Sequence, residues 1–242
     1  MSFYNKLAAQ KHIAGILGVF LILSFAGCVM AIVRVLYTGE TSFLFLIWNL
    51  FLAWIPFTMA LLIDYICRYY KSGGLKKLML FGSGAIWLFF YPNAPYLITD
   101  YIHFSRMRFF SFMGGYNMNF IVWYDFVMFS LFIFTGFLLG FVSLYTVQKL
   151  VAVRLNKFTG WLMVIGTLLL SSFGIYLGRF IRWNTWDIIE NPVGLIKSVL
   201  GSLNRHSVAF TITFGMFLVL AYVGLYFIAR LSRYEVVLNR EG

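Results

Sequence analysis

Asp100 and His103 stand three residues apart in the stretch Tyr91-Pro92-Asn93-Ala94-Pro95-Tyr96-Leu97-Ile98-Thr99-Asp100-Tyr101-Ile102-His103. On a helix that spacing puts a carboxylate and an imidazole on one face. Such a pair can pass a proton or offer two ligands to a metal ion. A carboxylate that merely holds a histidine at a helix end has the same signature. A second stretch, Trp123-Tyr124-Asp125, sets a carboxylate near the end of a long apolar run. An acid in that position faces the interior of a helical bundle or water, and the structural alternative is an ion pair with an arginine on a neighbouring helix. The third stretch supplies candidates for that arginine: Gly178-Arg179-Phe180-Ile181-Arg182-Trp183-Asn184-Thr185-Trp186-Asp187. Arg179 and Arg182 fall on one helical face, as do Trp183 and Asp187. Guanidinium groups grip carboxylates and phosphates with two prongs. Trp183 and Trp186 also suit an interface anchor.

These stretches define the candidate site. Asp100, His103, Asp125 and Asp187 are the candidate catalytic groups. Asn93, Tyr96, Tyr124, Arg179, Arg182, Trp183 and Asn184 are the candidate substrate-binding groups. An ion network is expected in which Asp100 or Asp125 meets Arg179 or Arg182. Any metal would rest on Asp100 and His103. With one histidine there and no thiolate, an anionic-headgroup site built on Arg179 and Arg182 is the better expectation. No cofactor is assigned, and there is no P-loop, HExxH or GxSxG motif.

The elements that position these residues belong to a membrane. The chain is 62% hydrophobic and 11% charged, which leaves too little polar surface to coat a water-soluble globule. The expected fold is all-α, a polytopic helical bundle forming one domain over residues 1–242. About six spans are expected, His12–Leu36, Phe43–Ile66, Leu75–Tyr91, Phe120–Gln148, Trp161–Ile181 and Val208–Ala229, since a crossing takes roughly 20 mostly apolar residues. Pro92 and Pro95 must break the third span, because each lacks a backbone donor and clashes with the preceding turn. Carbonyls near Trp87 to Tyr91 are thereby orphaned, and Asn93 is placed to satisfy some of them. Residues 104–119 and a helix starting at Asn191-Pro192 are expected to lie along the membrane surface. In the latter, Val193, Ile196, Val199, Leu200 and Leu203 share a face.

The lysines and arginines set a direction. The termini and the even-numbered connections hold twelve of the 19, including Lys71, Lys76 and Lys77 in one short loop. The positive-inside rule then places both termini in the cytoplasm of a multi-pass cell-membrane protein and the three polar stretches at the outer face. The net charge of +11 is mostly topology, and nucleic acid is not an expected partner. Membrane lipid is the expected partner, with an anionic headgroup or envelope substrate at the outer site; oligomeric state is left open. Cys28 and Cys67 lie in or beside apolar runs, so no disulfide framework is expected. Gly136/Gly140 and Gly174/Gly178 form two GxxxG pairs, expected to serve packing within the bundle.

The segment Asn49 to Pro56, together with Pro92-Asn93-Ala94-Pro95-Tyr96, Thr99-Asp100, His103, Trp123-Tyr124-Asp125, Gly178-Arg179, Arg182-Trp183-Asn184 and Trp186-Asp187, resembles a bacterial membrane family known as domain of unknown function 1361. The resemblance spans roughly residues 45–230. It implies a multi-span membrane protein and carries no catalytic assignment. Three functional classes stay open: a membrane-embedded enzyme on a lipid or envelope substrate, a carrier or ligand-binding protein, and a non-catalytic scaffold or assembly factor.

Overall fold

The computed structural model describes residues 3–106, 119–183 and 192–241. Among these residues the protein is helical, with no strand. In chain order the elements are α1 (Phe3–Thr38), α2 (Phe45–Tyr69), α3 (Gly74–Phe90), α4 (Asn93–Tyr96), a 3-10 segment (Leu97–Arg106), α5 (Phe120–Arg154), α6 (Lys157–Tyr176) with a π-helical end (Leu177–Ile181), α7 (Pro192–Gly201) and α8 (Arg205–Glu241). Five helical stretches are long and apolar enough to cross a bilayer: Ile13–Thr38, Phe45–Tyr69, Phe120–Arg154, Lys157–Ile181 and Arg205–Leu231. This is a multi-pass membrane helical bundle. The remaining expected span is α3, whose 17 residues reach only about 25 Å at 1.5 Å per residue, short of the roughly 30 Å hydrocarbon core.

α5 is the axis of the bundle. Of its most apolar window 61% is buried, against 17% for the corresponding windows of α1 and α8. α2, α6 and α1 pack around it, and α8 packs mainly on α6. One apolar core joins Phe57, Leu97, Phe129 and Phe132, and a second joins Trp87, Leu144, Ile175 and Tyr222. Lipid offers little driving force for helices to associate, so packing and interhelical hydrogen bonds must supply it. Trp87 donates to Ser143 Oγ at 2.8 Å, Ser143 donates to the Pro56 carbonyl at 2.8 Å, and Tyr222 donates to Gln148 at 2.6 Å.

The segment after α3 is held by glycines. The α3 hydrogen-bond ladder ends with the Tyr91 N–H donating to the Trp87 carbonyl at 2.9 Å, and Asn93 Nδ2 donates to the Phe90 carbonyl at 2.9 Å, the role its position predicted. The chain then runs through α4 into the 3-10 segment, wedged between α5 and α6. A Cβ on Gly136 would lie 2.8 Å from Leu97, and one on Gly140 3.0 Å from Ala94. From the other side, a Cβ on Gly174 would lie 3.2 Å from Pro92 and one on Gly178 3.2 Å from Tyr96. Both GxxxG pairs therefore serve packing inside the chain, and they receive different residues of one segment, Ala94, Pro95 and Leu97 on the α5 side and Pro92 and Tyr96 on the α6 side.

Asparagines start the helices. Asn119 caps α5 by accepting from the Ile121 N–H, Asn156 caps α6 by accepting from Thr159, and Asn204 caps α8 by accepting from His206 and Ser207. Each side-chain oxygen satisfies an N–H that the first helical turn leaves without a partner. The expected cap Asn191 and most of the connection 104–119 lie outside the described residues.

Candidate functional site

Arg179 is the centre of the polar cluster. It sits in the π-helical end of α6, where the widened turn aims its side chain at the 3-10 segment. Its Nη2 donates to Asp100 Oδ1 at 2.6 Å and to Thr99 Oγ1 at 2.6 Å, and its Nε donates to Thr99 Oγ1 at 3.0 Å. The Thr99 hydroxyl can accept twice because its own proton goes to the Tyr96 carbonyl at 2.6 Å. The guanidinium lies over the Tyr96 ring, 4.2 Å from its centroid, a cation–π contact that strengthens where water is excluded. Gly178 makes room for that ring.

Asp100 and His103 share an edge of the 3-10 segment, because residues three apart eclipse in a helix of three residues per turn. Asp100 is fully buried. Its Oδ2 accepts from Asn49 Nδ2 of α2 at 3.0 Å, so the two carboxylate oxygens are held by two different helices. Burial pushes the Asp100 carboxyl above the ordinary carboxylate range, while the hydrogen bond and charge of Arg179, the Asn49 amide and His103 pull it back. Burial also pushes the Tyr96 phenol up, against the Arg179 charge. His103 is half-buried, and its Nε2 faces Arg179 Nη1 at 3.5 Å. A guanidinium has no lone pair, so in any hydrogen bond between the two groups Arg179 donates and Nε2 accepts. The other side of the imidazole ring meets Phe45, with centroids 4.8 Å apart.

The expected network thus forms through Asp100 and Arg179, but Asp125 is not part of it. Asp125 is buried and accepts from Arg34 Nε at 2.7 Å. The Arg34 Nη groups donate to Glu40, to its carbonyl at 3.3 Å and its carboxylate at 3.1 Å, and the guanidinium covers the Phe43 ring at 4.2 Å. Gly39, at φ +73°, turns the chain so that Glu40 folds back onto α1. Such positive φ values cost glycine little. Tyr124 ties the same helices by donating to the Met30 carbonyl at 2.9 Å. Between the two arginines stands an aromatic wall: Phe43 and Phe45 both pack edge-on against Phe129.

Arg182 does not join Arg179. The expectation of a shared face assumed a regular α-helix, and the π-helical turn changes the spacing. Arg182 ends that turn in the left-handed region, φ +64°, and is exposed. Trp183 is half-buried, and its N–H closes the turn onto the Leu177 carbonyl at 3.3 Å. Asn184 and Asp187 lie outside the described residues. Among the described residues no three side chains of His, Cys, Asp or Glu gather as a metal site would require.

Sequence reading missed Arg34 and Asn49 as site builders. Each is a lone polar residue inside one end of an apolar run, which is the signal that finds them, since such residues in a span turn inward to a partner.

No curated protein and no solved structure matches the chain. The family described as protein of unknown function, DUF1361, matches residues 48–221, which take in Asn49, Tyr96, Thr99, Asp100, His103 and Arg179. The chain, a multi-pass membrane helical bundle, belongs to that family.

Proposed function

We propose that the Arg179 cluster is the working site of a membrane-embedded enzyme that acts on the headgroup of a lipid or another envelope substrate at the extracytoplasmic face of the cell membrane. The observation that carries this reading is the contact between Arg179 and His103. The guanidinium is anchored to Asp100 through one terminal nitrogen and presents the other to a half-buried imidazole. Arg179 and Asp100 cancel in charge. A proton taken up by His103 adds positive charge beside the guanidinium, and an anion bridging the guanidinium and the imidazole then relieves their repulsion. Proton and anionic headgroup therefore bind together, and His103 is placed to pass that proton to or from the substrate. Asp100 and Asn49 position the arginine. Asn93, Tyr96, Arg182, Trp183 and Asn184 remain proposed binding groups and Asp187 a proposed acid, while Asp125 and Tyr124 are read as structural ties between α1 and α5. The distribution of Lys and Arg supports cytoplasmic termini and this outward placement.

A non-catalytic scaffold is the second reading. It is favoured by the engagement of both Asp100 oxygens, one by Asn49 and one by Arg179.

One set of variants separates the two. His103→Gln and Arg179→Lys should each abolish the phenotype complemented by the wild-type gene, while protein level and melting temperature stay near normal. Loss of function that tracks loss of folded protein through the whole series would leave the scaffold standing. For the orientation, Cys28 and Cys67 are first replaced by serine. An impermeant thiol reagent on sealed cells should then label a cysteine at Leu200 and miss cysteines at Gly73 and Asn156. Labelling at Gly73 overturns the outward placement.

A further inference from the structure

At the membrane face opposite Arg179, the bundle carries a second basic site built on a different plan. Two matching ladders run there along neighbouring helices. On α5, Phe141 stacks on Tyr145 with centroids 5.6 Å apart, and Lys149 Nζ lies 3.9 Å over the Tyr145 ring. On α8, Tyr222 meets Tyr226 at 6.4 Å, and Arg230 lies 5.4 Å over the Tyr226 ring and donates to its hydroxyl at 3.3 Å. Both ladders step by four residues, so each forms one stripe on its helix. The stripes touch, with Tyr145 edge-on to Tyr226 at 5.8 Å. The two cations therefore crown one aromatic pair, and both are exposed.

Beside that crown, and reaching along α5 toward the bilayer centre, is an apolar groove of about 550 Å³ between α1, α5 and α8. Ile16 and Phe20 form one wall, Phe141 and Val142 the floor, and Leu225 and Ile228 the other wall. The groove and the crown are continuous, because Phe141 belongs to both. Lys149 is seven residues beyond Val142, about 10 Å along the helix axis.

We propose that this is a binding site for an anionic glycerophospholipid, its phosphate held by Lys149 and Arg230 and one acyl chain laid in the groove. The charge of the crown selects the occupant. A neighbouring apolar helix would fill the groove and gain nothing from two cations at its end, whereas a phospholipid has an apolar chain and a phosphate at the required separation. The aromatic rings under the cations suit the level where headgroups meet hydrocarbon. Gly15 lines the groove, and a side chain added there meets nothing within 4 Å, so that position tests the chain separately from the headgroup.

The test uses the full chain in nanodiscs of phosphatidylcholine containing one part in five phosphatidylglycerol, with retained lipid counted by native mass spectrometry. Phosphatidylglycerol should be retained over phosphatidylcholine. Lys149→Gln and Arg230→Gln should each weaken that preference about fivefold, from roughly 1 kcal/mol per basic residue near a membrane surface, and together they should abolish it. Gly15→Phe should displace the retained lipid while the melting temperature in pure phosphatidylcholine is unchanged. Equal retention of the two lipids by the wild type overturns the site. So does a preference that survives the double substitution, and so does cross-linking of cysteines at Ile16 and Leu225 between two copies of the chain. Retention unaffected by Gly15→Phe overturns the placement of the acyl chain in the groove.

Discussion

Arg34 and Arg179 both reach a buried aspartate, Asp125 at 2.7 Å and Asp100 at 2.6 Å, and both cover an aromatic ring at 4.2 Å. Their remaining partners differ. Arg34 divides its nitrogens between two carboxylates and a carbonyl, so the cluster carries one more negative charge than positive. All its bonds tie the end of α1 to the start of α5 and to the turn after α1. Another anion has no electrostatic reason to come there. Among the described residues Arg179 meets one carboxylate, one hydroxyl and one imidazole, so it faces one negative charge where Arg34 faces two. The family match is divided in the same way. It contains every member of the Arg179 cluster, while of the Arg34 cluster it contains Tyr124 and Asp125 but neither Arg34 nor Glu40, which lie before its first residue. Two ion pairs of nearly identical length thus stand in different surroundings, and on that ground we propose different work for them.

The sharpest way to break this comparison is to strip each arginine of its charge. Arg34→Met strands Asp125 in the bundle and should cost about 3–5 kcal/mol, the loss expected when one partner of a buried pair is removed. Arg34→Met with Asp125→Leu should recover most of that stability, and function with it. Thermal unfolding and complementation read the two outcomes, and a stable but inactive double variant would put Arg34 in the functional class. Asp100→Asn should cost less, about 1.5–3 kcal/mol, as a hydrogen bond to a charged partner is lost. An amide there also turns an N–H₂ toward either Asn49 or Arg179, both donors. Here the paired replacement Asp100→Leu with Arg179→Met should restore the melting temperature without restoring activity, and recovery of both would make the two sites alike. Arg179→Lys keeps the charge and removes the fork, with an expected stability loss of about 1 kcal/mol and complete loss of function. The smallest change is Glu40→Gln. Glu40 is 65% exposed, and such pairs contribute about 0–1 kcal/mol. Its effect should shrink in 1 M salt, where the screening length falls to about 3 Å.

The long apolar runs made five of the helices legible at once, since composition alone requires them to cross lipid. Asn93 was read correctly as a group that takes a carbonyl at the end of α3, although the Trp87 and Tyr91 carbonyls expected to be freed accept from Tyr91 and Ala94. Pairing was harder. Asp125 was expected to choose between Arg179 and Arg182, and it chose Arg34, because which helix neighbours which is decided by packing that no local spacing encodes. Arg34 itself read as a charge for counting loop polarity. Arg182 was misplaced for another reason: face assignments at a spacing of three hold for an α-helix, and the end of α6 is wound more loosely. The Asp100–His103 pair was legible because 3-10 and α geometry both bring residues three apart together.

Gly140 bears on the site without touching any polar group. Its missing side chain leaves clearance for Ala94, whose Cβ is fixed to the backbone and cannot rotate away from a methyl 3.0 Å off. Six residues separate Ala94 from Asp100, all of them in short, tightly wound helix, so a displacement at one end is delivered to the other nearly undiminished. An alanine at position 140 would act as a shim under a lever, lifting the carboxylate off a guanidinium it meets at 2.6 Å. A hydrogen bond that short has only a few tenths of an ångström of play. The tuning of the polar site is therefore inherited through an apolar position on another helix, and a single methyl group there is enough to detune it.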